Sequence, residues 1–189
     1  MHSKPTGSGP LSGWRWRQSA FRALNQWLRQ FHEEGRRRLD GWAPPDTDEP
    51  LDVVVAEPTG VHVWVMPKRL EVLDDYRLDG VVDTASVVVP EGSLSAVRQV
   101  LPSTYGVLTV GTVAGTPTLL EIRRPSLLKA SNAAALGELL SRDELAAGLL
   151  RMGRHVSPFS IRSELLAELL DLLPPERARE WILLTLLHD

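Results

Sequence analysis

The chain has 189 residues and a mass of 20.9 kDa, which predicts one domain, or one domain with an appendage, with enough apolar material for a real core. Its 43% hydrophobic and 24% charged residues exclude wholesale disorder and fibrous repeats, and the lack of cysteine excludes disulfide frameworks, thiolate nucleophiles and cysteine zinc sites. The net charge of −3 conceals a segregation: residues 1–39 carry eight Lys and Arg against Glu33 and Glu34, net +6, whereas residues 40–189 carry thirteen against twenty-two acids, net −9.

Residues 1–13, rich in Ser, Gly and Pro, predict a disordered tail. From Trp14 to Leu39, Phe21, Leu24, Leu28 and Phe31 recur at helical spacing and predict a first helix with one apolar stripe. Arg15, Arg22, Arg29 and Arg36 recur every seven positions and predict a basic stripe on another face, extended by Arg37 and Arg38. Pro44, Pro45 and Pro50 make the following segment a connector.

Residues 52–66 read as a β-hairpin turning at Glu57-Pro58-Thr59-Gly60, with His62, Trp64 and Met66 on one face and Val61, Val63 and Val65 on the other. Both faces are apolar enough to predict a sheet covered on both sides. Residues 68–79 are acidic and predict one short helix. Then VVDTASVVV reads as a strand, PEGSLSAVRQVLP as a helix opened by Pro90, and YGVLTVG as a strand, which makes a parallel crossover. TPTLLEIRRP predicts an edge strand, with a salt bridge between Glu121 and Arg123.

After Ser131 and Asn132 the pattern turns helical, with Leu136, Leu139, Leu140 and Leu150 expected on one face, followed by a helical pair over 160–187 broken at Pro174-Pro175. The expected organisation is a tail at 1–13, an α/β core at 14–130 with its basic helix, and a helical C-terminal extension at 131–189. The fold class is α/β, a small mixed sheet with flanking helices.

The apolar runs are too short to cross a bilayer and the opening segment lacks a secretory signal's apolar middle, so no membrane and a cytoplasmic location are expected. His2, His32, His62, His155 and His188 show no H-x-x-x-H relation and predict structural or surface roles, with no metal site. Phosphate-cradling glycine loops and a G-x-S-x-G elbow are missing too.

Over residues 50–189 the element order, together with VVVPEGSLSAVRQVLPSTYGVLTV, LLEIRRPS, ELLSRDELAAGLL and SIRSELLAELLDLLPPERAREWILLTLL, resembles an uncharacterised bacterial and phage family with the PD-(D/E)XK, or restriction-endonuclease-like, fold. The resemblance implies that Asp52 matches the strand Asp of that motif. The E-x-K partner would fall on the next strand, where the chain has His62, Val63, Trp64, Val65, Met66, Pro67 and Lys68, so only Lys68 matches in type. One carboxylate is a poor match for Mg²⁺, which is held by several oxygen ligands. The resemblance therefore implies a degenerate, non-catalytic nuclease-fold protein without a cofactor, with Asp52 and Lys68 as vestigial catalytic residues. Nucleic acid, DNA or RNA, would be bound through Arg15, Arg22, Arg29, Arg36, Arg37 and Arg38, with Trp14, Trp16 and Trp27 either stacking on unpaired bases or packing in the core.

Two alternatives carry different expectations. An active Mg²⁺-dependent nuclease would recruit Glu57 or Glu71 beside Asp52 and Lys68. An assembly module would use residues 160–187 to bind a protein partner or a second copy.

Overall fold

The computed structural model describes residues 14–31, 37–38, 52–67, 78, 80–128 and 132–187. The expected tail at 1–13, Arg36, Lys68, Glu71 and most of the acidic stretch 68–79 lie outside the described residues.

An 18-residue helix, α1 (Trp14–Phe31), contains neither Pro nor Gly and opens the fold. The two-residue strand β1 (Arg37–Arg38) pairs with β2 (Val53–Glu57), which turns through Pro58 and Thr59 into β3 (Gly60–Val65). Valine repeats favour the extended backbone of both hairpin strands. Gly60 has φ +143, and a Cβ there would collide with the Asp83 carboxylate, so the turn requires glycine for conformation and for space.

β4 (Thr84–Pro90) lies parallel to β3. Pro90 starts a short 3-10 turn that leads into α2 (Leu94–Val100), and β5 (Gly106–Val113) returns parallel to β4, as the strand-helix-strand pattern predicts. Ala114 and Gly115, both at positive φ, reverse the chain into the antiparallel edge strand β6 (Thr116–Arg123). Strand order in this mixed sheet follows chain order from β1 to β6.

Four helices complete the chain: α3 (Ala133–Gly137), α4 (Arg142–Arg151), α5 (Arg162–Leu172) and α6 (Pro175–Leu187). Asn132 caps α3 by accepting from the Ala135 N–H at 2.7 Å, as expected. Ser141 and Glu144 form a reciprocal capping box that starts α4. That break shifts the helical phase, so Leu150 is 57% exposed instead of sharing the buried face of Leu136 and Leu140.

The sheet separates two cores. One face holds Val54, Ala56, Val61, Val63, Val65, Ala85, Val87 and Val89 and is covered by α2 to α6. The C-terminal helices thus share a core with the sheet, and the change of secondary structure near residue 130 does not interrupt packing. Ile182, Leu183 and Leu186 of α6 are buried in this same core.

The other face holds Val53, Val55, Trp64, Met66, Val88, Leu108 and Leu119 under α1. The contact surface of α1 is built on Ala20, Ala23, Leu24 and Leu28, flanked by Trp16 and Trp27. Phe21, expected on the apolar stripe, is 37% exposed, because the small alanines bring the helix close to the sheet one position to its side. Among the described residues no helix is long and apolar enough to cross a membrane.

Candidate functional site

The α1-covered face carries three features in sequence along the strands. The first is the outer surface of α1. Arg15, Arg22 and Arg29 are exposed, and among the described residues none has an ion-pair partner. Seven residues of α-helix advance about 10.5 Å, so the three guanidiniums form a row about 21 Å long. Arg37 and Arg38 form β1, at the sheet edge opposite β6.

The second feature is the Asp52 corner, where the expected catalytic Asp sits. Arg17, on the inward side of α1, donates to Asp52 Oδ1 at 2.8 Å and also to the Met66 carbonyl, while the Met66 N–H donates to Asp52 Oδ2 at 2.6 Å. Asp52 therefore bolts α1 to the open ends of β2 and β3. Both of its oxygens are engaged, one by a cation. A depression of about 380 Å³ beside it is lined by Arg17, Gln18, Phe21, Arg22, Asp52 and Met66.

Magnesium needs several convergent oxygens, and the described residues do not fit it. Glu57, one of the two acids considered as a relocated ligand, stands at the opposite end of β2, roughly 16 Å along the strand from Asp52. Trp64 of β3 and Met66, just past its end, fill the neighbouring positions and belong to the α1 core. Among the described residues no group of three or more His, Asp and Glu could hold a metal ion. Lys68 and Glu71 lie outside the described residues.

The third feature is a groove of about 530 Å³ at the hairpin-turn end of the same face. The register creates it. β3 pairs with β4 so that His62 stands opposite Thr84 and Trp64 opposite Ser86, which places four side chains on one face of two strands. His62 Nδ1 lies 2.7 Å from Thr84 Oγ1, and its Nε2 lies 3.1 Å from Thr59 Oγ1 and 3.5 Å from Glu57 Oε2. Glu57 and His62 are each only 15% exposed in their side chains.

The groove walls are Trp27 of α1, Trp64, Leu108 and Pro125. Trp27 and Trp64 meet edge to face, with ring centroids 6.0 Å apart and planes at 67°. On the β6 side Glu121 pairs with Arg124 at 2.8 Å. The salt bridge expected between Glu121 and Arg123 is thereby corrected. Arg123 donates instead to the Tyr105 and Pro102 carbonyls, because the register shift opposite Val107 and Leu108 breaks the alternation between residues 121 and 123. Sequence reasoning placed His62 and Trp64 on one face but missed their convergence with Glu57, Thr84 and Ser86. The available signal was the polar residues at alternate positions where β3 and β4 begin.

No protein-family model matches this chain, and no curated protein matches it. A solved structure of a protein of unknown function from Silicibacter pomeroyi is similar to it at 14% identity and a TM-score of 0.47, covering 76% of this chain and 96% of that one.

Proposed function

We propose that this protein binds nucleic acid through the outer face of α1, on a nuclease-like frame that does not hydrolyse its ligand. The observation that carries the reading is the division of arginines on α1. Arg17 turns inward and is neutralised by Asp52, whereas Arg15, Arg22 and Arg29 face solvent without an acidic partner among the described residues. A basic arm that docked on its own acidic body by charge would pair those three. Instead α1 docks by its apolar side and by one buried-side ion pair, and the outward cations stay available for phosphates.

The lack of hydrolysis follows from the same corner. Asp52, the residue matching the motif Asp, acts as an acceptor for a guanidinium and a backbone N–H, which leaves no anionic oxygen pair directed at a metal. The apolar side of the α5–α6 pair is likewise engaged, in the core of its own chain, and this weighs against an assembly role for residues 160–187.

The test is fluorescence anisotropy with labelled single-stranded and duplex oligonucleotides across a salt series. Binding that weakens steeply with salt is expected, with the logarithmic slope falling by about 0.7 to 0.9 for each phosphate that an arginine no longer neutralises. The combined Arg15→Gln, Arg22→Gln, Arg29→Gln protein should lose most of its affinity at low salt. A wild-type protein that ignores every oligonucleotide at low salt overturns the proposal. In parallel, a plasmid incubated with Mg²⁺ or Mn²⁺ should stay intact; cleavage that disappears in Asp52→Ala would restore the enzymatic reading.

A further inference from the structure

We infer that the outward surface of α4, with the strip of α6 beside it, is the contact between two copies of this chain, paired about a two-fold axis that passes Ala147. Each helix turns one side to the core under the sheet, and that side takes no part. Gly148 lets the Trp181 ring of α6 lie against α4, since a Cβ there would collide with it. Beside that contact the two helices leave a groove of about 650 Å³ whose apolar lining is Ala147, Trp181 and Leu184. Leu184 and, on the outer ridge of α4, Leu150 are exposed.

Charge order selects the occupant. Asp143, Ala147 and Arg151 follow one another at four-residue steps along α4, so an acid and a base flank a small residue at equal distances of about 6 Å along the axis. A stripe in that order is complementary to its own reverse. When two copies cross antiparallel at Ala147, Asp143 of each meets Arg151 of the other, twice over by symmetry, whereas a parallel pairing sets like charges together. Both groups have the capacity. Arg142 donates to Asp143 Oδ1 at 3.2 Å on the surface, and a carboxylate accepts from several directions. Arg151 donates through Nε to the Ala147 carbonyl of its own helix at 3.3 Å, one of the five N–H groups that a guanidinium carries.

The same axis accounts for Phe159. This ring is 90% exposed, yet its loop is held in place: Arg142 donates to the Pro158 carbonyl at 2.8 Å and the Ser160 carbonyl at 2.9 Å, and the Phe159 N–H donates to Ser157 Oγ at 3.2 Å. Arg142 opens α4, so Phe159 is carried beside the N-terminal end of that helix, while Leu150 stands at its C-terminal end. Reversal of the second copy therefore brings its Leu150 towards Phe159. An aromatic side chain on a loop already ordered before association loses little freedom on binding, which suits it as an interface anchor. Because α1 covers the opposite face of the sheet, pairing through α4 leaves the arginine row uncovered.

The experiment is sedimentation equilibrium of the full chain without nucleic acid, over a series from micromolar to millimolar protein. The mass should rise with concentration from 20.9 kDa towards twice that value. Asp143→Arg and Arg151→Asp each turn two opposite-charge contacts into two like-charge ones, and each should weaken pairing about tenfold. Mixed in equal amounts, these two variants complement one another and should pair about as tightly as wild type. Phe159→Ala, which touches no core residue, should also weaken pairing about tenfold. A chain that stays at 20.9 kDa throughout overturns the inference. So does a dimer indifferent to both charge reversals and to Phe159→Ala, and so does a pair of weakened reversal variants that fail to recover on mixing.

Discussion

The two faces of the sheet share strands but differ in what covers them. Under α2 to α6 lies a continuous valine and alanine surface, and the one ionisable group buried with it among the described residues, Asp83, has both oxygens engaged: Oδ1 by Arg179 at 3.0 Å and Oδ2 by the Val61 N–H at 2.8 Å. Under α1 the surface begins apolar at Val53, Val55 and Val88 and turns polar at Glu57, His62, Thr84 and Ser86. Simple dimensions account for the difference. A helix is about 10 Å across, and six strands at about 4.8 Å spacing span roughly 24 Å. One helix cannot roof the whole face, and the part left uncovered, toward the hairpin turn, carries polar residues. The larger apolar core thus lies on one face, and the proposed binding surface belongs to the other.

That division is exposed to direct attack. The largest effect is expected from Asp83→Ala, which removes the carboxylate that accepts from the Val61 N–H and from Arg179 and so loosens α6 from the hairpin. Breaking a buried pair costs about 3–5 kcal/mol, and the partial exposure of Arg179, 31%, places this one near the lower figure, about 3 kcal/mol. Urea denaturation should show the loss while the folded variant keeps its oligonucleotide affinity. If affinity fell in step with stability, the two faces would not be independent.

A smaller loss is expected from Gly148→Ala, also on the helical side. A Cβ at Gly148 would run into the Trp181 ring, so α4 and α6 would have to separate. Overpacking costs about 1–3 kcal/mol, and the gain in helix propensity offsets up to about 1 kcal/mol of it. A lowered thermal midpoint with unchanged nucleic-acid binding would support the division again; an unchanged midpoint would mean that this helix pair is loosely packed.

How much of this was legible in the sequence depends on the range of the interaction. Period-two alternation located the hairpin and sorted His62, Trp64 and Met66 from Val61, Val63 and Val65, because side-chain direction in a strand is local. The Asn132 cap and the crossover through α2 were local too. Phe21 and Leu150 were misplaced because residues of different size or a new cap shifted the helical phase. The groove needed the pairing of His62 with Thr84, twenty-two residues apart, and the Asp52 corner needed Arg17, thirty-five residues away. Neither pairing follows from any periodicity. Resemblance reads Asp52 as a catalytic remnant, and its contacts, which no local pattern shows, add that it anchors α1.

The finest comparison lies within α1 itself, between two arginines five residues apart. Arg17 is 25% exposed in its side chain and holds Asp52 and the Met66 carbonyl; Arg22 is exposed and has no ion-pair partner among the described residues. Arg17→Gln should therefore cost about 1 kcal/mol of stability, the net worth of a partly solvated charged hydrogen bond, and leave the salt dependence of binding nearly as it was. Arg22→Gln should do the reverse: a denaturation midpoint within error of wild type, and a salt slope smaller by about 0.7 to 0.9, the signature of one neutralised phosphate. Both effects are small, yet they have different readouts, so one cannot mimic the other. If Arg17→Gln changed the slope and Arg22→Gln did not, phosphates would be gathering at the Asp52 corner, and the row of outward arginines would be a solvated helix face with no binding role.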